Sequence, residues 1–236
     1  MLDTFAGIGG FSYAAHKLVG GFETTQFVEI DPFCQKILKK HFPTVPCHDD
    51  IKTFSAIPGQ YDVITGGFPC QDISVAGRRE GITDQSRSGL FYSLMRVICL
   101  VRPRFVVMEN VAAILNNGLD IVLGELSQAG YDAEWSVISA STLGACHRRS
   151  RWWCVAYPNS ERLQRKDFRK MEREIWSQSN SRRLNPDWRS YVSKPILPRG
   201  SYGLSYRVDR TKALGNSIVP AVAAIPLQRV HDLYYK

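Results

Sequence analysis

Short apolar runs alternate with helix-patterned stretches over residues 1–157, and several runs stop at a glycine or an acid. The spacing predicts strands over residues 1–4, 22–30, 61–65, 105–108, 131–139 and 152–156. It predicts helices over 11–18, 32–41, 89–101 and 119–128. Pro32 stands in the first turn of its helix, where its missing N–H costs nothing, and Gly130 follows the last helix as a stop signal. This alternation predicts an α/β fold: a doubly wound, mostly parallel sheet with helices on both faces.

The pattern changes after residue 157. Residues 158–206 are polar, basic and rich in Pro, Gly, Ser and Asn, with no regular period, and residues 218–234 are again helix-patterned. The expected organisation is a domain over 1–157, a small irregular unit over 158–206, and a C-terminal segment, 207–236, whose helix packs back on the first domain. A length of 236 residues suits one α/β domain with such an appendage, and 44% apolar residues suffice for a core.

No apolar run approaches the roughly 18 residues of a membrane helix, and the N-terminus lacks a signal-peptide pattern. A cytoplasmic protein without membrane contact is expected. None of the six cysteines forms a C-x-x-C pair, so no metal site is expected. The net charge of +8 is unevenly placed: residues 148–212 hold 17 of the 30 Lys and Arg but 6 of the 22 Asp and Glu, with four of the five Trp. Basic residues interleaved with aromatics mark a nucleic-acid surface; the plainer alternative is a solvated basic loop.

Five segments carry chemistry. Phe5-Ala6-Gly7-Ile8-Gly9-Gly10-Phe11 places glycines between a strand and a helix, where backbone can approach a ligand and the helix N-terminus favours an anionic group. Glu29 ends the next strand about 20 residues on, where an acid can take ribose hydroxyls. Together they suggest an adenosine-bearing cofactor; a tight turn beside a strand-end carboxylate is the structural alternative. Gly66-Gly67-Phe68-Pro69-Cys70-Gln71 sets a cysteine just past a strand, as a nucleophile or as a structural thiol. Glu109-Asn110-Val111 ends another strand, and neighbouring strand ends converge on one cleft. Arg149 and Arg151 fall on one side of an extended chain, where two guanidinium forks can bind a phosphate or a base edge. Leu214-Gly215-Asn216-Ser217 precedes the last helix and alone says little.

In this order the segments closely resemble the C5-cytosine DNA methyltransferase family, whose fold is a Rossmann-like methyltransferase sheet. Asp3 to Phe11 looks like its first cofactor motif, Glu29-Ile30-Asp31 and Asp50-Ile51 like its second and third. Gly67 to Gln71, with Ser74, matches its nucleophile loop; Glu109-Asn110-Val111, Arg149-x-Arg151 and Leu214 to Ser217 match later motifs. His147 stands where the family has Gln, and the ninth motif has no clear counterpart, with residues 207–212 in its place. The compactness resembles phage-type members.

The resemblance implies transfer of a methyl group from S-adenosyl-L-methionine to carbon 5 of a cytosine flipped out of double-stranded DNA. It implies catalytic roles for Cys70, Glu109, Arg149 and Arg151. It implies cofactor contacts from Phe5, Gly7, Gly9, Gly10, Glu29, Ile30, Asp50, Ile51, Pro69, Leu90, Asn216 and Ser217. It implies DNA contacts from Gln71, Ser74, Arg78, Arg79, Arg182 and Arg183, with residues 71–88 as a loop closing over DNA and 158–206 as the target-recognition region. A monomer is expected, with a cognate restriction endonuclease or a complementing subunit as partner. Two rivals stay open: a tRNA cytosine-5 methyltransferase, and a weakly active DNA-binding member or half of a two-chain enzyme.

Overall fold

The computed structural model describes residues 1–69, 89–145, 147–160, 213 and 215–235. The strands are β1 (Leu2–Thr4), β2 (Gln26–Val28), β3 (Cys47–His48), β4 (Val63–Gly67), β5 (Phe105–Val111), β6 (Tyr131–Ser139) and β7 (Ser150–Pro158). The helices are α1 (Gly10–Tyr13), which continues as a wider π-helical segment to Val19, α2 (Pro32–His41), α3 (Gly89–Val101), α4 (Leu119–Gln128) and α5 (Pro220–Tyr234). They surround one seven-stranded sheet of order β3-β2-β1-β4-β5-β7-β6. No helix among the described residues is long and apolar enough to cross a membrane.

The first five strands are parallel, and β7 runs antiparallel to both β5 and β6. This decides where the site lies. The C-terminal ends of β1, β2, β3, β4 and β5 share one edge of the sheet. Because β7 is reversed, its first residues reach the same edge: Arg151 pairs with Val111, the last residue of β5. The strand order turns back between β1 and β4, and ligands bind at such a switch point.

Side-chain alternation supplies two cores. Leu2, Ile64, Met108, Trp152 and Cys154 meet Phe91, Leu94 and Ile98 of α3 and Val122 and Leu126 of α4. On the other face Val63, Val107, Trp153 and Val155 meet Phe11 and the apolar side of α5. The adjacent tryptophans thus serve opposite faces. Helix α5 is further locked by a buried pair: Arg229 Nε and Nη2 donate to Glu134 Oε2 and Oε1 of β6 at 3.0 and 2.7 Å.

Strands β5 and β7 run longer than the sequence reading, to Val111 and over Ser150–Pro158, and four further elements differ from it. Strand β2 is three residues, not nine, and the Thr24 N–H before it is taken by the side chain of His16 rather than by a neighbouring strand. The first helix widens after Tyr13. Strand β4 is displaced to include Gly66 and Gly67, which were expected to be loop. A Cβ on Gly66 would lie 2.8 Å from Thr4 Oγ1, so the glycine is what lets β4 pair with β1 there. Strand β3, two residues long, has no sequence pattern to find.

Candidate active site

The cofactor end is built on the turn after β1. Phe5, Gly7 and Gly9 all have positive φ, at 51°, 55° and 86°. Glycine tolerates this backbone and Phe5 does not, so the turn is held against strain at Phe5. A Cβ at Gly7 would meet nothing within 4 Å, whereas one at Gly9 would press on Leu38 and Phe42 and one at Gly10 on Ile218. Space for a ligand therefore opens at Gly7, while Gly9 and Gly10 are also required by internal packing.

Glu29 fixes this turn. Its Oε2 accepts the Gly7 N–H at 2.6 Å and its Oε1 the Asp31 N–H at 2.8 Å. Asp31 in turn caps α2, accepting the Phe33 N–H at 2.9 Å. Each Glu29 oxygen keeps a further lone pair, so a diol can be accepted on a carboxylate already aimed by the backbone. Beside it Ile30 is 70% exposed, an unusual place for a large apolar side chain. After β3, Asp50 Oδ1 accepts the Lys52 N–H, and Ile51 is buried.

Beneath the turn lies a carboxylate whose role the sequence does not disclose. Asp3 is fully buried; its Oδ1 accepts from Thr65 Oγ1 at 2.8 Å and its Oδ2 from Ser12 Oγ at 2.6 Å. Thr24 Oγ1 donates to Ser12 Oγ, extending the chain of hydrogen bonds to His16. Burial raises the Asp3 carboxyl to about 6, against the opposing effect of its hydroxyl donors. An acid inside a fully buried strand is unusual, but burial is not visible in the sequence of Leu2-Asp3-Thr4.

The reacting end is built on β4, β5 and β7. Glu109 projects beside Gly67, where a Cβ would come within 3.2 Å of its Oε2. Arg151 Nε lies 3.0 Å from Glu109 Oε1. Burial pushes the Glu109 carboxyl above its usual range, and Arg151 and then Arg149 pull it back. Asn110, itself buried, donates from Nδ2 to Phe68 O at 3.2 Å, gripping the backbone two residues before Cys70. Glu109, Arg149, Arg151, Trp153, Val219 and Val222 line one crevice.

Arg149 is engaged by the chain just before α5. It adopts φ 36°, and its guanidinium donates to Gly215 O at 2.9 and 3.0 Å and to Ser217 O at 2.5 Å. It thereby ties the start of β7 to the segment that carries Asn216 and Ser217. Pro69 and Leu90, both expected to close the cofactor pocket, stand after β4 and at the start of α3. Cys70, Gln71, Ser74, Arg78, Arg79, Arg182 and Arg183 lie outside the described residues.

Two arginines that matter here were not singled out from sequence. Arg229 is fully buried on α5 and pairs with Glu134 of β6, 95 residues away. Arg96 lies on α3 and bonds three carbonyls of the turn after β3; nothing in its sequence neighbourhood marks it.

Among solved structures, this fold is shared with the Dnmt2 methyltransferase of S. pombe, with a TM-score of 0.57 and 22% identity over 70% of this chain and 52% of that one. It is also shared with a putative DNA modification methyltransferase encoded within an E. coli prophage, with a TM-score of 0.56 and 27% identity over 70% of this chain and 48% of that one. The class is thus a methyltransferase sheet with its motifs gathered on one edge. The description C-5 cytosine-specific DNA methylase matches residues 1–206, and the chain belongs to that family. It is 34% identical over 222 residues to the type II methyltransferase M.CviJI of Paramecium bursaria Chlorella virus IL3A, covering 93% of this chain and 56% of that protein. It is 37% identical over 159 residues to the type II methyltransferase M2.BsuMI of Bacillus subtilis strain 168, covering 64% and 40%. The chain spans about half the length of the curated relatives it matches.

Proposed function

We propose that this chain transfers a methyl group from S-adenosyl-L-methionine to carbon 5 of cytosine in double-stranded DNA, through a covalent bond from Cys70 to carbon 6. The observation that carries this reading is the Glu109–Arg151 pair held beside Gly67, with Asn110 gripping Phe68 on the chain that leads to Cys70. The open face at Gly7, the carboxylate of Glu29 and the exposed Ile30 support a nucleoside cofactor at the neighbouring strand ends.

The residue types suit the chemistry. Carbon 5 of cytosine is a poor nucleophile until a thiolate adds at carbon 6 and makes the ring an enamine. Cys70 supplies that thiolate. Glu109 holds ring N3, and its burial favours the protonated carboxyl that can donate there. Arg151 orients Glu109, and Arg149 keeps the Gly215–Ser217 segment against the same crevice. The bound cofactor supplies an electrophilic methyl group. Loss of the carbon 5 proton to a base then expels the Cys70 thiolate and restores the ring. A stacked base is out of reach of Cys70, so the cytosine must flip, at a cost of a few kcal/mol offset by phosphate contacts of the basic 158–206 region. A partner endonuclease belongs to this reading only by analogy with the type II relatives.

The test uses duplex DNA containing 5-fluorocytosine, whose carbon 5 fluorine cannot leave as a proton does. Incubation with S-adenosyl-L-methionine should yield a covalent protein–DNA adduct, absent in Cys70→Ser. No adduct from the wild-type chain would overturn the reading, and an adduct with substituted tRNA alone would move it to RNA.

A further inference from the structure

The turn after β3 is held from outside. Its own hydrogen bonds all run to Asp50, from Thr53 N, Phe54 N and Thr53 Oγ1 to the carbonyl and from Lys52 N to Oδ1, and they leave its later carbonyls free. Three of those carbonyls converge on one atom: Arg96 Nη2 of α3 donates to Ile51 O at 2.8 Å, to Lys52 O at 3.2 Å and to Phe54 O at 2.8 Å. Arg96 is 42–45 residues away in sequence, so this is a tertiary clamp and not local capping. With the carbonyls engaged by Arg96, the turn keeps two groups for a ligand. Among the described residues the Ile51 N–H has no acceptor, and Asp50 Oδ2 has no donor. A donor beside an acceptor matches the edge of a 6-aminopurine, which offers an acceptor at N1 and a donor at N6.

We propose that Arg96 is a positioning residue that sets the purine-reading edge of the cofactor site by clamping the carbonyls of Ile51, Lys52 and Phe54. The inference rests on the cofactor reading given under Proposed function. It goes beyond it in assigning base selectivity to a side chain that does not touch the cofactor. The clamp also has a second end. Helix α3 starts at Gly89, and its Phe91 and Leu94 share a core with Ile51 and Phe54. One helix therefore supports the turn both through the Arg96 hydrogen bonds and through the shared core.

The chemistry of the clamp supplies a discriminating test. Nη2 has two N–H groups for three carbonyls, and a lysine ammonium has three. Arg96→Lys should therefore retain the clamp, and Arg96→Met, of similar bulk, should lose it. Calorimetric binding of S-adenosylhomocysteine is measured against S-inosylhomocysteine, whose 6-oxo edge reverses donor and acceptor. Arg96→Met is expected to bind S-adenosylhomocysteine about tenfold more weakly and to lose most of its preference over the inosine analogue, while Arg96→Lys stays close to wild type. Wild-type preference intact in Arg96→Met would overturn the inference and leave the cofactor reading standing. So would equal loss of affinity in both variants with the preference unchanged, since that is a purely structural effect. Failure of the wild-type chain to bind S-adenosylhomocysteine at all would overturn both.

Discussion

Two carboxylate–guanidinium pairs stand on the same face of the sheet, and they differ in what they leave open. Glu134 has both oxygens engaged inside the protein. Both oxygens accept from Arg229, and Tyr157 Oη donates to Oε1 at 3.0 Å as well. Its side chain and that of Arg229 are 5% and 0% exposed. Glu109 has Arg151 on Oε1 alone among the described residues, and the pair is 14% and 23% exposed. Glu109 is pushed up by burial and only partly restrained by two guanidinium groups. The Glu134 pair can do nothing but hold helix α5 to the β6–β7 hairpin. On the proposed reading, a half-satisfied pair at the mouth of the sheet keeps an oxygen for a substrate, at a cost in stability.

The sharpest way to break this comparison is Glu109→Gln. The amide keeps shape and can still accept from Arg151, so thermal stability should change little. It cannot deliver a proton to ring N3, and methyl transfer to DNA should fall by about 10²–10⁴-fold. A collapse of the fold with residual activity per folded molecule near wild type would place Glu109 with Glu134. Arg229→Met is the mirror experiment. It leaves the Glu134 carboxylate buried without its cation, and urea unfolding should show a loss of about 3–5 kcal/mol. Cofactor affinity of the molecules that remain folded should be unchanged.

Asp3 sharpens the contrast because it is a buried carboxylate whose side chain is held by hydroxyl and backbone donors, with no cation among its hydrogen-bond partners. Folding raises it from 3.8 to about 6, so the native state holds a proton that the unfolded chain has released. Stability therefore falls as pH rises from about 4 to about 6, by about 3 kcal/mol from this residue. Glu109, also raised, contributes with the same sign. Urea midpoints measured across pH 4–7 should slope downward in the wild type and be clearly shallower in Asp3→Asn. An unchanged slope would mean that the Ser12 and Thr65 hydroxyls stabilise the carboxylate more than burial opposes it.

Most of the sheet was legible because its strands announce themselves by composition and their helices by period. The bounds of α2, α3, α4 and β6 follow from Pro32, Gly130 and the apolar spacing alone. Strand β3 was not legible, since two residues carry no period, and β4 was misplaced because glycines were read as loop. The motif residues were found by type, but what each glycine is for was not. Gly9, Gly10 and Gly66 lack side chains because Leu38, Ile218 and Thr4 stand there, which only packing reveals. The long-range clamps of Arg96, Arg149 and Arg229 were beyond reach for a related reason: each joins segments 42 to 95 residues apart, and no local pattern encodes such a contact.

The smallest expected effect tests the geometry most finely. Gly67 lies opposite Glu109 in the β4–β5 register, and an added Cβ would sit 3.2 Å from Oε2 and 3.6 Å from Ile218 Cδ1. That is tight but not impossible, so Gly67→Ala should fold with a loss of about 1 kcal/mol or less. To make room the carboxylate must shift by a few tenths of an ångström, and it can shift only by turning on its bond to Arg151. The oxygen displaced is the one that the comparison leaves for substrate. Activity should therefore fall on the order of tenfold, with cofactor affinity unchanged, because a small misplacement of a positioned group is costly in the transition state. The equivalent crowding at Glu134 has no such readout, as every oxygen there is already used. Gly67→Ala with full activity would mean that Glu109 reaches its substrate through Oε1 and that Arg151 yields its place.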